Sequence, residues 1–157
     1  MNMIKRIEYL EELKRWKDKD LIKVVTGIRR CGKSTLFELF IEYLKEEIDE
    51  NHIISINLES LEYNLSGYRD LYDYVINKIN DDKKYYVFLD EVQNVKDFQK
   101  AVDGLYIKKN IDIYITGSNA FLLSGELATL LTGRYIEIKM LPLSFKEYVS
   151  AFPENNN

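Results

Sequence analysis

The chain has 157 residues, 46% of them hydrophobic and 31% charged, which is the balance of one folded domain with a real core rather than of a disordered segment. A net charge of −4 argues against a surface that as a whole attracts nucleic acid and leaves room only for a local basic patch. A single cysteine excludes an internal disulfide, and a single histidine makes a His/Cys metal site a poor reading.

No apolar run approaches the ~20 residues of a membrane span. The N-terminus, MNMIKRIEYLEELKRWKDKD, is too charged for a secretory signal, so a cytoplasmic protein is expected. Residues 1–20 read as an N-terminal helical segment, since YLEELKRWK (9–17) places Leu10, Leu13 and Trp16 on one stripe. LIKVVT (21–26) is a short β-branched strand that ends at Gly27. KSTLFELFIEYLKEEI (33–48) predicts a helix, apolar at Leu36, Phe37, Phe40, Ile41 and Leu44. There follow a strand at HIISINL (52–58), a helix at YRDLYDYVINKIN (68–80) and a strand at YYVFLD (85–90). A helix over 95–109 leads to the strand IDIYIT (111–116). NAFLLSGELATLLTG is helical with a break near Gly125, RYIEIKM (134–140) is a last strand, and SFKEYVSA a short helix. Residues 151–157 form a tail. Five strands alternating with helices predict a parallel α/β sheet covered on both faces, within a core of residues 21–150.

Gly27-Ile28-Arg29-Arg30-Cys31-Gly32-Lys33-Ser34 satisfies G-x-x-x-x-G-K-[ST] at every fixed position, with a strand before it and a long helix after it. The glycines let the backbone wrap phosphates so that its N–H groups and the helix N-terminus face negative charge. Lys33 is expected to reach the β- and γ-phosphates, and Ser34 to place its hydroxyl on Mg²⁺. Thr35 either backs up Ser34 or touches the α-phosphate. Arg29 and Arg30 point to solvent or lie near phosphate or a neighbouring subunit. Cys31 reads as a small space-filling residue whose oxidation could block the site.

YYVFLDEVQ supplies the second half. A hydrophobic strand delivers Asp90 to its C-terminal end, where doubly wound sheets place ligand contacts. Asp90 is expected to hold Mg²⁺ through water, and Glu91 to orient and deprotonate an attacking water. A water-activating glutamate would work against a small kinase, which must keep water out. Hydrolysis is therefore favoured over transfer.

With these motifs the chain resembles an AAA+ P-loop ATPase from about Leu21 to Val149. TGIRRCGKSTL, LDEVQ, TGSNAFLL and GRYIEIKMLPLSFKEY are similar to a group of prokaryotic ATPase cores that usually continue into a C-terminal domain. The resemblance implies a three-layer αβα sandwich with a parallel five-stranded sheet in the order 5-1-4-3-2, and ATP with Mg²⁺ as ligands. It also implies a γ-phosphate sensor at Asn119, with Ser118 the second choice. Arg134 is the arginine that in many family members reaches the nucleotide of an adjacent subunit, implying a homo-oligomer; pairing with a surface carboxylate such as Glu137 is the alternative. Asn57 lies where the family often restrains the catalytic glutamate, although a strand-end asparagine also forms turns.

The chain stops at Asn157, before the helical lid of the family, so a core excised from a longer protein, or a naturally shortened one, is expected. Any nucleic acid binding would belong to that absent part. The favoured reading is an ATP-hydrolysing core that drives a missing module. A nucleotide-loaded switch with little turnover and a small P-loop kinase are the alternatives. The tyrosines, including Tyr63, Tyr68, Tyr72 and Tyr74, read as core or half-buried rather than as base-stacking platforms.

Overall fold

A computed structural model describes residues 7–28, 31–118, 128–131 and 133–141. Five strands, β1 (Ile22–Gly27), β2 (Ile53–Asn57), β3 (Tyr85–Asp90), β4 (Ile111–Ser118) and β5 (Tyr135–Met140), pair in parallel in the order β2-β3-β4-β1-β5. This is the expected order, 5-1-4-3-2, read from the other edge. The central strands β1 and β3 are buried at every position, as parallel strands covered on both faces must be.

Alternation along the strands divides the core into two layers. Ile22, Val24, Val87, Leu89, Ile113 and Ile115 pack against α3 (Tyr68–Ile76) and α4 (Phe98–Tyr106), which contribute Leu71, Val75, Val102 and Leu105. Val25, Phe88, Tyr114 and Ile138 face the other way, onto α1 (Ile7–Trp16) and α2 (Lys33–Leu44), through Leu13, Leu36, Phe37 and Phe40. The result is the three-layer αβα sandwich. Tyr63, Tyr68, Tyr72 and Tyr74 are half-buried against the α3/α4 layer.

Helix ends differ from the periodic reading, for local reasons. Asp18 adopts a left-handed backbone (φ 63°) just after α1, and Asp97 (φ 57°) delays α4 until Phe98. Helix α2 stops at Leu44, where bonding tightens to i→i−3 (Glu46 N–H to the Tyr43 carbonyl at 3.3 Å, Glu47 N–H to the Leu44 carbonyl at 3.1 Å), and Asp49 then opens a 3₁₀ turn by accepting a bond from Asn51 N–H at 2.9 Å. Helix α3 ends at Ile76, ahead of Asn77, Asn80, Asp81 and Asp82, whose side chains compete with helical bonding; Asp81, for instance, accepts from Lys83 N–H at 2.9 Å. Of the helix expected over 119–133, residues 128–130 are helical; most of the rest lies outside the described residues, as do the expected helix at 144–151 and the tail.

A buried polar cluster ties α1 to the amino ends of the strands. Lys23 on β1 has no solvent exposure, yet donates to Asp112 Oδ1 at 2.6 Å and to the Lys19 carbonyl. Asp112 Oδ2 accepts from Tyr114 Oη at 2.7 Å and from Asp18 N–H at 3.0 Å, while Tyr86 Oη donates to Asp18 Oδ1 at 2.7 Å. Burial lowers the pKa of Lys23, with Asp112 opposing the shift. Burial also raises the Tyr114 hydroxyl, assisted by the Asp112 charge, so that it stays a neutral donor.

Candidate nucleotide-binding site

The loop after β1 depends on two glycines. A Cβ on Gly27 would stand 2.5 Å from Cys31 Sγ and 2.9 Å from the Met140 carbonyl oxygen, so only glycine lets the end of β1 pass beneath the loop and beside β5. Gly32 has φ +102°, a left-handed conformation that side chains strain. It is the N-cap of α2 and offers no side-chain cap, so the first-turn N–H groups are left for another acceptor. Lys33, only 4% exposed, turns back and donates to the carbonyls of Gly27 at 3.2 Å and Ile28 at 3.1 Å. Cys31 is buried, with Sγ 4.0 Å from Lys33 Nζ, and Thr35 is half-buried on the first turn of α2. Arg29 and Arg30 lie outside the described residues.

The strand order brings the acidic pair to this loop. Asp90 ends β3, and β4 is the single strand between β3 and β1. Ser34 Oγ donates to Asp90 Oδ2 at 2.5 Å, and Thr116 on β4 donates to Asp90 Oδ1. Glu91 follows with a left-handed backbone (φ 60°), its N–H donating to Thr116 Oγ1 at 2.9 Å. Its carboxylate accepts from Gln93 Nε2 at 2.6 Å and lies 3.8 Å from Lys33 Nζ. Lys33, Ser34, Asp90 and Glu91 thus converge at the carboxyl end of the sheet.

Other selected residues are elsewhere. Arg134 precedes β5 at the amino end of the sheet, where its carbonyl accepts from Ile22 N–H at 2.9 Å. The length of β1, about 17 Å at ~3.3 Å per residue, separates it from the loop. Its exposed guanidinium stands over the Tyr106 ring, 5.7 Å from the centroid, and its charge opposes the upward shift that burial gives the Asp103 carboxyl. The alternative partner, Glu137, instead accepts from Thr26 Oγ1 at 2.8 Å. Asn119 lies outside the described residues, while Ser118 closes β4 in register with Gly27. Asn57 is in register with Asp90, but its Oδ1 accepts from Glu59 N–H at 3.0 Å and closes its own turn.

Two residues of this cluster were given no role from the sequence, Thr116 and Gln93. Thr116 is one of several polar residues alternating along IDIYITGS, with no local signal that singles it out, and Gln93 lies in LDEVQ directly after the acidic pair.

The donors fit Mg²⁺. One hydroxyl and one carboxylate oxygen face each other, too few to bind a metal alone but suited to a hard cation that brings waters and phosphate oxygens as its remaining ligands.

A family model described as an AAA domain matches residues 19–149. An uncharacterized protein of Haemophilus influenzae is 47% identical over 152 residues, covering 95% of this chain and 38% of that protein. An uncharacterized protein of Methanocaldococcus jannaschii is 34% identical over 134 residues, covering 82% and 28%. The chain thus spans well under half the length of these relatives. Among solved structures, a DNA polymerase III gamma subunit-related protein of Thermotoga maritima superposes with a TM-score of 0.64 at 18% identity, over 92% of this chain and 49% of that one. The closed state of Hsp104 with a nucleotide analogue and casein gives 0.65 at 12% identity, over 96% and 29%. A strand–loop–helix built for phosphate, the 5-1-4-3-2 sheet and the span of the family match lead to one assignment: the chain belongs to the AAA domain family, as an ATP-binding AAA+ P-loop domain.

Proposed function

We propose that this domain hydrolyses ATP with Mg²⁺, and that its cycle drives or switches a further module in longer proteins of the kind it resembles. The observation that carries the reading is the convergence of Glu91 with Lys33, Ser34 and Asp90 at the carboxyl end of the sheet. Lys33 would leave the Gly27 and Ile28 carbonyls for the β- and γ-phosphates, while the uncapped N–H groups of α2 take phosphate oxygens. Ser34 and Asp90 would hold Mg²⁺, whose charge neutralises that of the phosphates. Glu91, released from Lys33, orients a water and accepts its proton as the water oxygen bonds to the γ-phosphorus and the bond to the β–γ bridging oxygen breaks. Asn119 would sense the γ-phosphate, and residues 27–35 form the cradle.

Glu91→Gln tests this. The amide keeps size and hydrogen bonding but removes the base, so nucleotide binding is expected to persist while phosphate release stops. Unchanged turnover would remove Glu91 from the mechanism, and a parent inactive in every assembly state would support a switch instead.

Arg134, exposed and far from its own loop, would act on the nucleotide of a neighbouring copy, a contribution typically worth about 10³–10⁵ in rate. Specific activity should then rise with protein concentration, and Arg134→Ala should slow hydrolysis while sparing nucleotide affinity. Activity per subunit that is flat on dilution, with R134A as fast as the parent, would refute assembly through this residue.

A further inference from the structure

We propose that Gln93 is a positioning residue that clamps the carboxylate of Glu91, the task that the resemblance assigned to Asn57. The inference rests on Glu91 being the base proposed above, and it begins from the turn that follows β3. Glu91 is pinned through its backbone: its N–H donates to Thr116 Oγ1 at 2.9 Å, and its carbonyl accepts from Asn94 N–H at 3.2 Å and Asn94 Nδ2 at 3.1 Å. The 3₁₀ turn Val92–Asn94 then brings Gln93 back under the Glu91 side chain. Gln93 Nε2 donates to Glu91 Oε2 at 2.6 Å, a short separation for an N–H···O bond and one expected when the acceptor is charged.

The other end of the amide supports this direction. Gln93 Oε1 is buried and has no hydrogen-bond partner among the described residues. A buried amide that leaves its oxygen unmet is oriented by its donor end. The reversed amide would set its oxygen against the carboxylate, acceptor to acceptor. Asn57 instead uses its amide oxygen to accept from Glu59 N–H and close its own turn.

The clamp makes the two oxygens of Glu91 unequal. Oε2 is tied to Gln93, whereas Oε1 faces Lys33 Nζ at 3.8 Å. Once Lys33 turns to phosphate, Oε1 is the oxygen free to accept a proton from water, on a carboxylate whose rotation Gln93 has already restricted. Gln93 therefore contributes to orientation and not to nucleotide affinity.

The test combines kinetics with a readout independent of turnover. Gln93→Met keeps the length of the side chain without the donor. It is expected to lower kcat by about tenfold to a hundredfold, the scale of a misplaced catalytic group, while KM and the affinity for fluorescent mant-ATP stay within about twofold. In an E91Q background, where turnover is expected to stop, the same substitution should leave mant-ATP affinity within about twofold, because Gln93 acts through Glu91 and not on the nucleotide. If Q93M does not fold, Q93L removes the donor without adding a second charge and should show the same loss. The side-chain amide protons of Gln93, identified by their disappearance in Q93M, should show one resonance shifted downfield that returns to the free-amide position in E91A. Parent-like kcat in Q93M, or an affinity for mant-ATP lowered well beyond twofold by Q93M in either background, would overturn the clamp. Where the parent itself shows no turnover, the hydrolysis reading falls and the amide resonance decides: a shift insensitive to E91A overturns the clamp, and one abolished by E91A supports it.

Discussion

Thr116→Val isolates the hydrogen bonds that hold the acidic pair. Valine nearly matches threonine in volume, and Thr116 is fully buried, so the substitution opens no cavity. It removes the donor to Asp90 Oδ1 and the acceptor for Glu91 N–H at 2.9 Å. A hydrogen bond to a charged group contributes about 1.5–3 kcal/mol, and an orphaned buried N–H costs about 1–3 kcal/mol. Asp90 keeps Ser34 as a donor and retains 8% exposure to water, which offsets part of the loss. The expected destabilisation is about 2–4 kcal/mol. For a chain of 157 residues this lowers Tm by roughly 5–15 °C. Urea unfolding followed by far-ultraviolet circular dichroism measures it, with Thr116→Ser as the reference that keeps both bonds. Mg²⁺–ATP affinity should fall with T116V, since Asp90 is no longer held against Ser34. A T116V variant within about 0.5 kcal/mol of T116S would refute the reasoning, because the hydroxyl would then hold neither residue.

Lys23→Met breaks the buried pair with Asp112 and should cost about 3–5 kcal/mol in chemical denaturation, the range for removing one partner of such a pair. A loss under about 1 kcal/mol would show that the pair does not tie α1 to the sheet. Asp103 carries the pH prediction. Burial raises its pKa above 3.8 with the Arg134 charge opposing, and its Oδ1 is buried without a partner among the described residues. The folded state therefore holds this proton more tightly than the unfolded chain, so the group's contribution to stability falls as pH rises from the unfolded value through the folded one. Asp103→Asn should be more stable than the parent at neutral pH, with an advantage that shrinks towards pH ~4. A constant Tm difference across that range would count against it.

Much of the site was legible because its parts are contiguous. Gly27 to Ser34 is one run between a strand and a helix, and LDE sits at the end of an apolar strand, so spacing and periodicity alone place backbone amides, lysine and carboxylates at strand ends. Periodicity also determined the parallel α/β class. The order 5-1-4-3-2 came from the resemblance instead, since a local pattern does not encode which strand lies beside which. That order is what the tertiary structure alone turned into contacts. With β4 between β3 and β1, the Thr116 hydroxyl meets an aspartate 26 residues earlier in the chain. Lys23, a charged residue within a strand covered on both faces, is buried against an aspartate 89 residues away. Gln93 clamps Glu91 only because left-handed backbone at Glu91 and a 3₁₀ turn fold two near neighbours onto each other. Each is a polar group whose partner is chosen by strand order or by a rare backbone angle, and pairing of that kind is a property of the folded chain.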